Sequence, residues 1–439
     1  MSPATVSTAA AAAPAKPSSA GRWLVWGGYA LALAALPLVF RSSLAHTMLS
    51  QMGIGIIACL AFNMLLGQGG MLSFGHAVYS GLGSFFAIHA LNLVSAGALP
   101  LPVSLIPLVG GLAGMGFAAL LGYVTTKKAG TPFAMITLGV GELVYAMSLM
   151  FPGFFGGEGG INGNRVAGQP WLGITFGPQI QLYYLIAVYC FVCTAAMYAF
   201  TLTPLGRMLN ASRDNPERVE FVGYDTQFVR FFSFVASGFF MGIAGGLGAL
   251  NFEIVTAEVV GAARSGAYLL FTFLGGATYF FGPIIGAVLM VLALVLLSEL
   301  TLAWLLWLGL LFVFMVMYAP GGIASLIMVN ARVAAFGRLR PLLPWYGALL
   351  VTVLLILSGA GAMVEMVYHL HLNQALGPRL KFLGIELDAH GMGSWGGSVL
   401  LLLLGAVLFE LARRRVASLW SRTQDEIEQD IARREARDP

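Results

Sequence analysis

Charge is what this sequence has least of. Asp, Glu, Lys and Arg together supply 10% of the 439 residues, where a soluble domain carries roughly a quarter. So few charges cannot cover a water-facing surface for a chain of this length. The net charge of +4 is no nucleic-acid signal, and no nucleic-acid partner is expected. Cysteine is equally scarce. Cys59 lies in one apolar run, and Cys190 and Cys193 lie in another. A CxxC spacing serves redox and metal sites, but a metal needs further ligands, and none lies nearby in sequence. The three read as small buried hydrophobes. The six His are scattered, so neither a metal-ligand cluster nor a nucleophile triad is visible. A Gly-Lys-Ser/Thr phosphate cradle occurs nowhere in the chain. No ATP site and no bound cofactor are therefore expected of this chain.

What is present is hydrocarbon. Hydrophobic residues make up 58% and glycine 56 positions, the composition of a polytopic all-α membrane protein whose helices pack closely. Residues 1–22 are an Ala, Ser, Thr and Pro tail with little to bury, predicted to be disordered. Residues 23–328 hold about ten apolar runs of spanning length, the first being Trp23–Phe40 and the last 303–318. Residues 329–412 add two more, Trp345–Val367 and Trp395–Leu411, read as a helical hairpin. Residues 413–439 form a charged, solvated tail opened by Arg413, Arg414 and Arg415. Ser43-Leu44-Ala45 has the form of a signal-peptide cleavage site, but an uncleaved first span gives a consistent topology. In that topology Arg41, Arg165, Arg264, Arg379 and Lys381 are the outer-side members of 23 Lys and Arg. That is a positive-inside bias with both termini cytoplasmic. Trp304 and Trp307 suit the outer interface.

One polar island interrupts the apolar pattern. Residues 203–225 read TPLGRMLNASRDNPERVEFVGYD. Charges at this density are too costly for hydrocarbon, so the island lies in water between two spans. Asp214 or Asn215 is placed to cap a short helix, with Pro216 in its first turn and Glu217 at its positive end. Gly223 is the stop.

Three further stretches depart from plain spans. Residues 67–91, GQGGMLSFGHAVYSGLGSFFAIHAL, open with glycines and carry Ser73, His76 and Tyr79. Such an interruption is tolerated where it is buried in protein or lines a cavity, and both close packing and pathway lining fit it. Residues 131–151 carry Thr137 and place Glu142 inside an apolar run, a candidate for function at membrane depth. It is the one clear mid-span acid, and no intramembrane basic partner is evident. Residues 156–163, GGEGGING, form a glycine-rich loop.

The stretch from Thr203 to Leu250 resembles the cytoplasmic coupling loop and following helix of inner-membrane permeases of ABC importers, above all the branched-chain amino acid uptake family. Residues 67–91 are similar to that family's G-x-x-x-L-x-x-G-x-x-A-x-x-x-x-G-A-Y segment, with Ser84-Phe85 in place of Ala-Tyr. Residues 131–151 are similar to its G-x-Y-F-A-I-x-T-L-x-x-x-E segment. Phe133, Ala134, Thr137, Leu138 and Glu142 match, while Thr131-Pro132 replaces the usual start. That block points to the larger of two sister permeases. The 156–163 loop resembles the external T-G-G-x-x-G loop, and YAPGGI at 318–323 the terminal x-x-P-x-G-I/L signature. The resemblance covers roughly residues 46–328.

It implies a permease subunit of the bacterial inner membrane that breaks no bond itself. It would form the translocation pathway with a sister permease. Two cytoplasmic ATPase subunits would use ATP and Mg, and a periplasmic solute-binding protein would deliver a small-molecule substrate. Branched-chain or other small amino acids are the expected cargo; related permeases carry urea, short amides or aromatic carboxylates. Arg213, Asp214, Asn215, Glu217, Arg218, Glu220 and Gly223 become the ATPase-coupling candidates. Ser73, His76, Tyr79, Thr137 and Glu142 become candidates for pathway or gating, with Glu142 supporting fold or gating rather than reading substrate. An ion-coupled secondary transporter would instead need paired ionisable groups at the midplane.

Overall fold

The computed structural model describes residues 19–166, 175–301, 303–319, 321–372, 379–382 and 385–435. The expected tail before Ser19, and Pro320 of the terminal signature, lie outside the described residues. The chain divides into two units, one ending at Tyr268 and one beginning at Leu269. This division falls inside the stretch read from sequence as one transmembrane domain.

The first unit contains α1 (Ser19–Val39), α2 (Ser43–Gly69), α3 (Ala77–Ser95), α4 (Ile106–Thr125), α5 (Thr131–Met150) and the single turn α6 (Pro152–Phe155). There follow α7 (Gln179–Leu202), α8 (Pro204–Asp214), α9 (Pro216–Phe221) and α10 (Thr226–Phe252). Then α11 (Ala262–Gly275) carries the chain into the second unit. The most apolar windows of α2, α3 and α10 are 72%, 78% and 67% buried, against 33% for α5 and α7. The first three helices are thus the centre and the others their surround.

Glycine sets how closely that centre packs. α10 repeats Gly238, Gly242 and Gly246 at four-residue spacing, and α4 answers with Gly110 and Gly114. This small-xxx-small pattern lets helix backbones meet in lipid. A Cβ on Gly242 would stand 2.2 Å from the Gly110 carbonyl oxygen, and one on Gly245 1.8 Å from that of Ser80 in α3. No side chain fits at either place.

The second unit begins with the end of α11. α12 (Gly282–Leu292) runs through a π-helical turn, Ala293–Leu297, into α13 (Ser298–Leu300). Beyond it come α14 (Trp304–Tyr318), α15 (Gly322–Ala335), α16 (Leu343–Leu372) and α17 (Met392–Glu435). Gly276, Gly282 and Pro283 predict a sharp reversal in the sequence, and it is present between α11 and α12. Gly276 has φ 113, and a Cβ on Gly275 would fall 2.1 Å from the Gly282 carbonyl oxygen. α16 and α17 form the expected hairpin, packed so closely at Gly359 that an added Cβ would lie 2.8 Å from the Ser398 carbonyl oxygen and the Leu402 amide nitrogen. Their connection carries a two-stranded ribbon, β3 (Arg379–Phe382) with β4 (Ile385–Asp388).

Among the described residues, eight helices are long and apolar enough to cross a membrane, nine if the bent pair α14–α15 counts as one span. The protein is an all-α polytopic membrane protein. The ten runs expected in the core each fall on a helix, and six of these reach full spanning length: α2, α3, α4, α5, α7 and α10. Trp23–Val39 and Gly282–Leu297 are shorter. The charged tail, expected to be solvated, is helical where it is described. Its described part, to Glu435, continues α17, a helix of 44 residues. At 1.5 Å per residue this is about 66 Å, twice the hydrocarbon thickness, so its charged half leaves the bilayer. Ile427 there is buried against Val333 and Leu342, and Arg338 pairs with Glu426.

The glycine contacts give a paired test. Gly245→Ala forces a methyl into the Ser80 carbonyl and should destabilise by about 1–3 kcal/mol or more. Gly248→Ala, where nothing lies within 4 Å of the added carbon, should stay within about 1 kcal/mol of the parent and trend upward from helix propensity. Thermal unfolding of the two purified variants checks this; equal melting temperatures would refute the close-contact reading.

Candidate functional site

The interruption between α2 and α3 is where most of the first unit converges. α2 ends at Gly70 with φ 63, donating from the Gly70 amide to Leu66 and from the Met71 amide to Leu65. The chain then turns through Ser73–His76 directly against α5. A Cβ on Gly75 would sit 2.0 Å from the Thr137 carbonyl oxygen. The Phe74 amide donates to the Thr137 hydroxyl at 3.2 Å, and that hydroxyl donates to Ala134 at 2.8 Å. The Ala77 amide donates to Ser265 Oγ at 2.9 Å. α5 and the start of α11 are thus pinned to the same seven-residue break, residues 70–76.

His76 is fully buried in an aromatic box of Phe62, Tyr79 and Phe234, with ring centroids 5.4–5.8 Å away. Its Nε2 lies 2.9 Å from Ser237 Oγ, whose hydroxyl donates to the Ala61 carbonyl at 2.6 Å. With Ser237 donating onward, Nε2 must carry the proton and Nδ1 is a bare acceptor. Nδ1 meets no partner among the described residues, and neither do the buried Ser73 Oγ and Asn63 Oδ1. Ser73, His76, Tyr79 and Thr137 are each at most 2% exposed, so close packing describes their present surroundings.

Glu142 differs from these four. α5 leaves Met135, Gly139, Glu142 and Ala146 exposed along one stripe, at the spacing of a single helical face. Among the described residues Glu142 meets no hydrogen-bond or ion-pair partner. It is also not the lone acid in a span. Glu365 sits in α16, where it accepts from the Thr301 hydroxyl. It lies inside the run read from sequence as Trp345–Val367, where it was not singled out, and α16 continues beyond it to Leu372.

The polar island forms two helices where one short helix was expected. Thr203 caps α8, its hydroxyl oxygen accepting from the Gly206 amide at 3.2 Å. Asn215, not Asp214, caps α9, accepting from the Arg218 amide at 3.1 Å. Asp214 ends α8 and pairs with Arg213 at 3.0 Å. Gly223 stops α9 with φ 90. Its amide donates to Glu220 at 2.9 Å and the Tyr224 amide to Val219 at 3.2 Å, the two bonds of a Schellman turn. Asp225 then caps α10.

α8 is seated on the end of α2. Leu209 is buried against Gly69, where a Cβ would come within 2.9 Å of Leu209 Cδ1. Asn210 Nδ2 donates to Gln68 Oε1 at 3.0 Å, and Arg213 donates to the Gly67 carbonyl. A cation at the last carbonyls of a helix is favourably placed, so Arg213 ties the island to the bundle. Glu220 accepts from Thr226 Oγ1 at 3.0 Å. The island's open end is apolar: Phe221 is 89% and Val222 70% exposed, beside Glu217 and Arg218.

At the other end of α10 the glycine-rich loop is a tight turn. Gly156, Gly157 and Gly160 all have positive φ, and β1 (Ile161–Asn162) pairs with β2 (Ile254–Val255). Arg165 closes this end. It donates to the carbonyls of Phe176, Leu250, Asn251 and Gly177 at 2.9–3.3 Å, and its amide donates to Glu253 Oε1 at 2.9 Å. Sequence reasoning counted Arg165 only as an outer charge; a lone Arg after a glycine-rich loop was the available signal.

The fold is thus a multi-span helical bundle with a capped helical pair seated on the end of one of its helices. The comparisons define it further. The family described as "Branched-chain amino acid transport system / permease component" matches residues 44–320, and the chain belongs to that family. It is 27% identical over 294 residues to the high-affinity branched-chain amino acid transport system permease protein LivM of Salmonella typhimurium strain LT2, covering 62% of this chain and 67% of the relative. Against LivM of Escherichia coli strain K12 the identity is 26% over the same coverage. No solved structure matches the chain. The protein is thus a multi-pass transport permease component.

The seat of the island is testable. Arg213→Ala removes a charge-assisted bond to a helix end, half-exposed here, and should cost about 1 kcal/mol. Gly223→Val places a β-branched residue at φ 90 and should cost more, on the order of 2 kcal/mol. Amide exchange over residues 204–225 should quicken in both while α3 stays protected; unchanged exchange would show that these residues do not hold the island.

Proposed function

We propose that this chain is the membrane subunit of an ATP-driven importer for branched-chain or other small amino acids, with the island docking on an ATPase subunit. The observation that carries this is the misplaced apolar end of α9. Phe221 and Val222 stand almost bare on a capped and anchored helix pair inside a polar segment. Exposed apolar groups on a rigid polar element mark a protein contact. Glu217 and Arg218 flank it as rim charges, while Arg213, Asn215, Glu220 and Gly223 position it. ATP and Mg belong to two partner ATPases in this reading, and both termini share their cytoplasmic side.

Pairing with a sister permease is supported by α5. An unpaired carboxylate facing hydrocarbon costs several kcal/mol. The stripe holding Glu142 therefore faces a water-filled path or a second subunit rather than lipid. An external solute-binding protein would meet the end held by Arg165. The relatives' printed names support branched-chain amino acids as cargo; the urea, amide and aromatic-carboxylate carriers of the same family are the alternative.

The test is a double variant, Phe221→Asp with Val222→Asp. It should insert normally and stay folded, because neither side chain is packed. It should reduce ATPase co-purification and ATP-dependent leucine uptake in vesicles at least tenfold. Parental uptake and ATPase retention would show that the island is an ordinary loop.

A further inference from the structure

The second unit encloses a cavity of about 580 Å³, well within the size range of ligand pockets, about 300–1,000 Å³. Its walls come from two sources. The end of α11, α12 and α14 belong to the family-matched region ending at residue 320; α16 and Phe382 of β3 lie beyond it. The lining is almost wholly hydrocarbon. Its two hydroxyls are already committed: Thr301 donates to Glu365, and Ser358 donates to Leu355 of its own helix at 2.9 Å. Neither hydroxyl has a proton left to donate to a polar solute. The floor is formed by buried Phe271, Leu274, Leu308 and Met315, whereas Leu354 and Leu357, at 55% and 43% exposure, stand at the opening. The π-helical turn at Ala293–Leu297 makes part of one wall, and such turns frequently mark functional sites.

We infer that this cavity binds one acyl chain of a membrane phospholipid, inserted between α12–α14 and the C-terminal hairpin. An empty apolar hole of this size forfeits the dispersion contacts of every side chain around it. Water does not fill it, since an apolar cavity offers too few polar partners. The cavity opens beside the exposed face of α16, a helix apolar enough to span the bilayer. Hydrocarbon is therefore the medium at its mouth and the available filler. Packing of Phe382 onto Gly361, where an added Cβ would lie 2.8 Å from the ring, closes one side over the chain. The acyl chain acts as a wedge that joins the hairpin to the family-matched helices.

Full-length protein is reconstituted in phosphatidylethanolamine vesicles containing a phospholipid with a diazirine near the end of one acyl chain, then irradiated and mapped by peptide mass. Phe271 and Leu308 should be labelled, although both are buried and neither lines the smaller pocket beside Phe273 and Phe312. Two cavity-filling variants, Ala293→Phe and Ser358→Trp, should each lower that labelling at least fivefold and leave labelling at exposed Leu350 unchanged. In detergent, native mass measurement should find one phospholipid retained by the parent and lost from either variant. Label confined to outward-facing positions such as Leu350 would overturn the inference. So would equal labelling of the floor in parent and variants, or retention of a different apolar molecule. The readout needs no ATPase, so it stands apart from the importer reading.

Discussion

Backbone-to-backbone contact at glycine is the constraint on which the first unit depends. α10 meets α4 at Gly242 and α3 at Gly245, with no space for a side chain at either. Bilayer hydrocarbon offers no hydrophobic drive for helices to associate, so close packing must supply the attraction. One consequence is that α10 has little room to slide or bend at its centre. Its ends carry the two features that face water. Asp225 caps its start beside the island, and Glu253 at its end receives the Arg165 amide and pairs the glycine-rich loop. A 27-residue helix is about 40 Å long. The island and the glycine-rich loop are thus the two ends of one stiff rod.

The break before α3 combines tight packing with incomplete polar satisfaction. Gly75 admits no side chain against α5, yet Ser73 Oγ, His76 Nδ1 and Asn63 Oδ1 are buried without partners among the described residues. Each such group forfeits its water without recompense, a cost of about 1–3 kcal/mol. That cost weighs against this conformation relative to any other that supplies the missing partners. If the proposed importer reading holds, this break is the candidate place for helices to change their mutual contacts. α5 and α11 are bonded to this break and would move with it.

Much of the fold was legible because composition and helix breakers act locally. Apolar run lengths located the spans, and Gly276, Gly282 and Pro283 placed the reversal. Asn215, Pro216 and Gly223 bounded α9, since capping and left-handed stops depend on residues close in sequence. What escaped depended on distant partners. Nothing near Arg213 in sequence says that it donates to Gly67, and nothing near Arg165 announces four carbonyls gathered around it. Phe221 and Val222 looked like ordinary hydrophobes, because exposure is decided by tertiary packing. The packing of the charged tail was hidden for the same reason: Ile427 finds its partners, Val333 and Leu342, far back in the chain.

Exposure in this protein carries information only where it conflicts with its surroundings. Dozens of Leu, Val and Phe side chains are open on the spanning helices, and lipid accounts for them without further explanation. Two places invert that rule. Glu142 is a polar group on an apolar face, and Phe221 with Val222 is an apolar tip on a polar island. Lipid does not satisfy the first and water does not satisfy the second, and neither finds its partner among the described residues. For Glu142 the required neighbour is polar and at membrane depth; for Phe221 and Val222 it is apolar and outside the bilayer. No single neighbour meets both descriptions. Two different contacts are therefore demanded by the physical chemistry of one subunit, one within the membrane and one beyond it. The importer proposed for this chain, with one partner in the membrane and one outside it, would supply both.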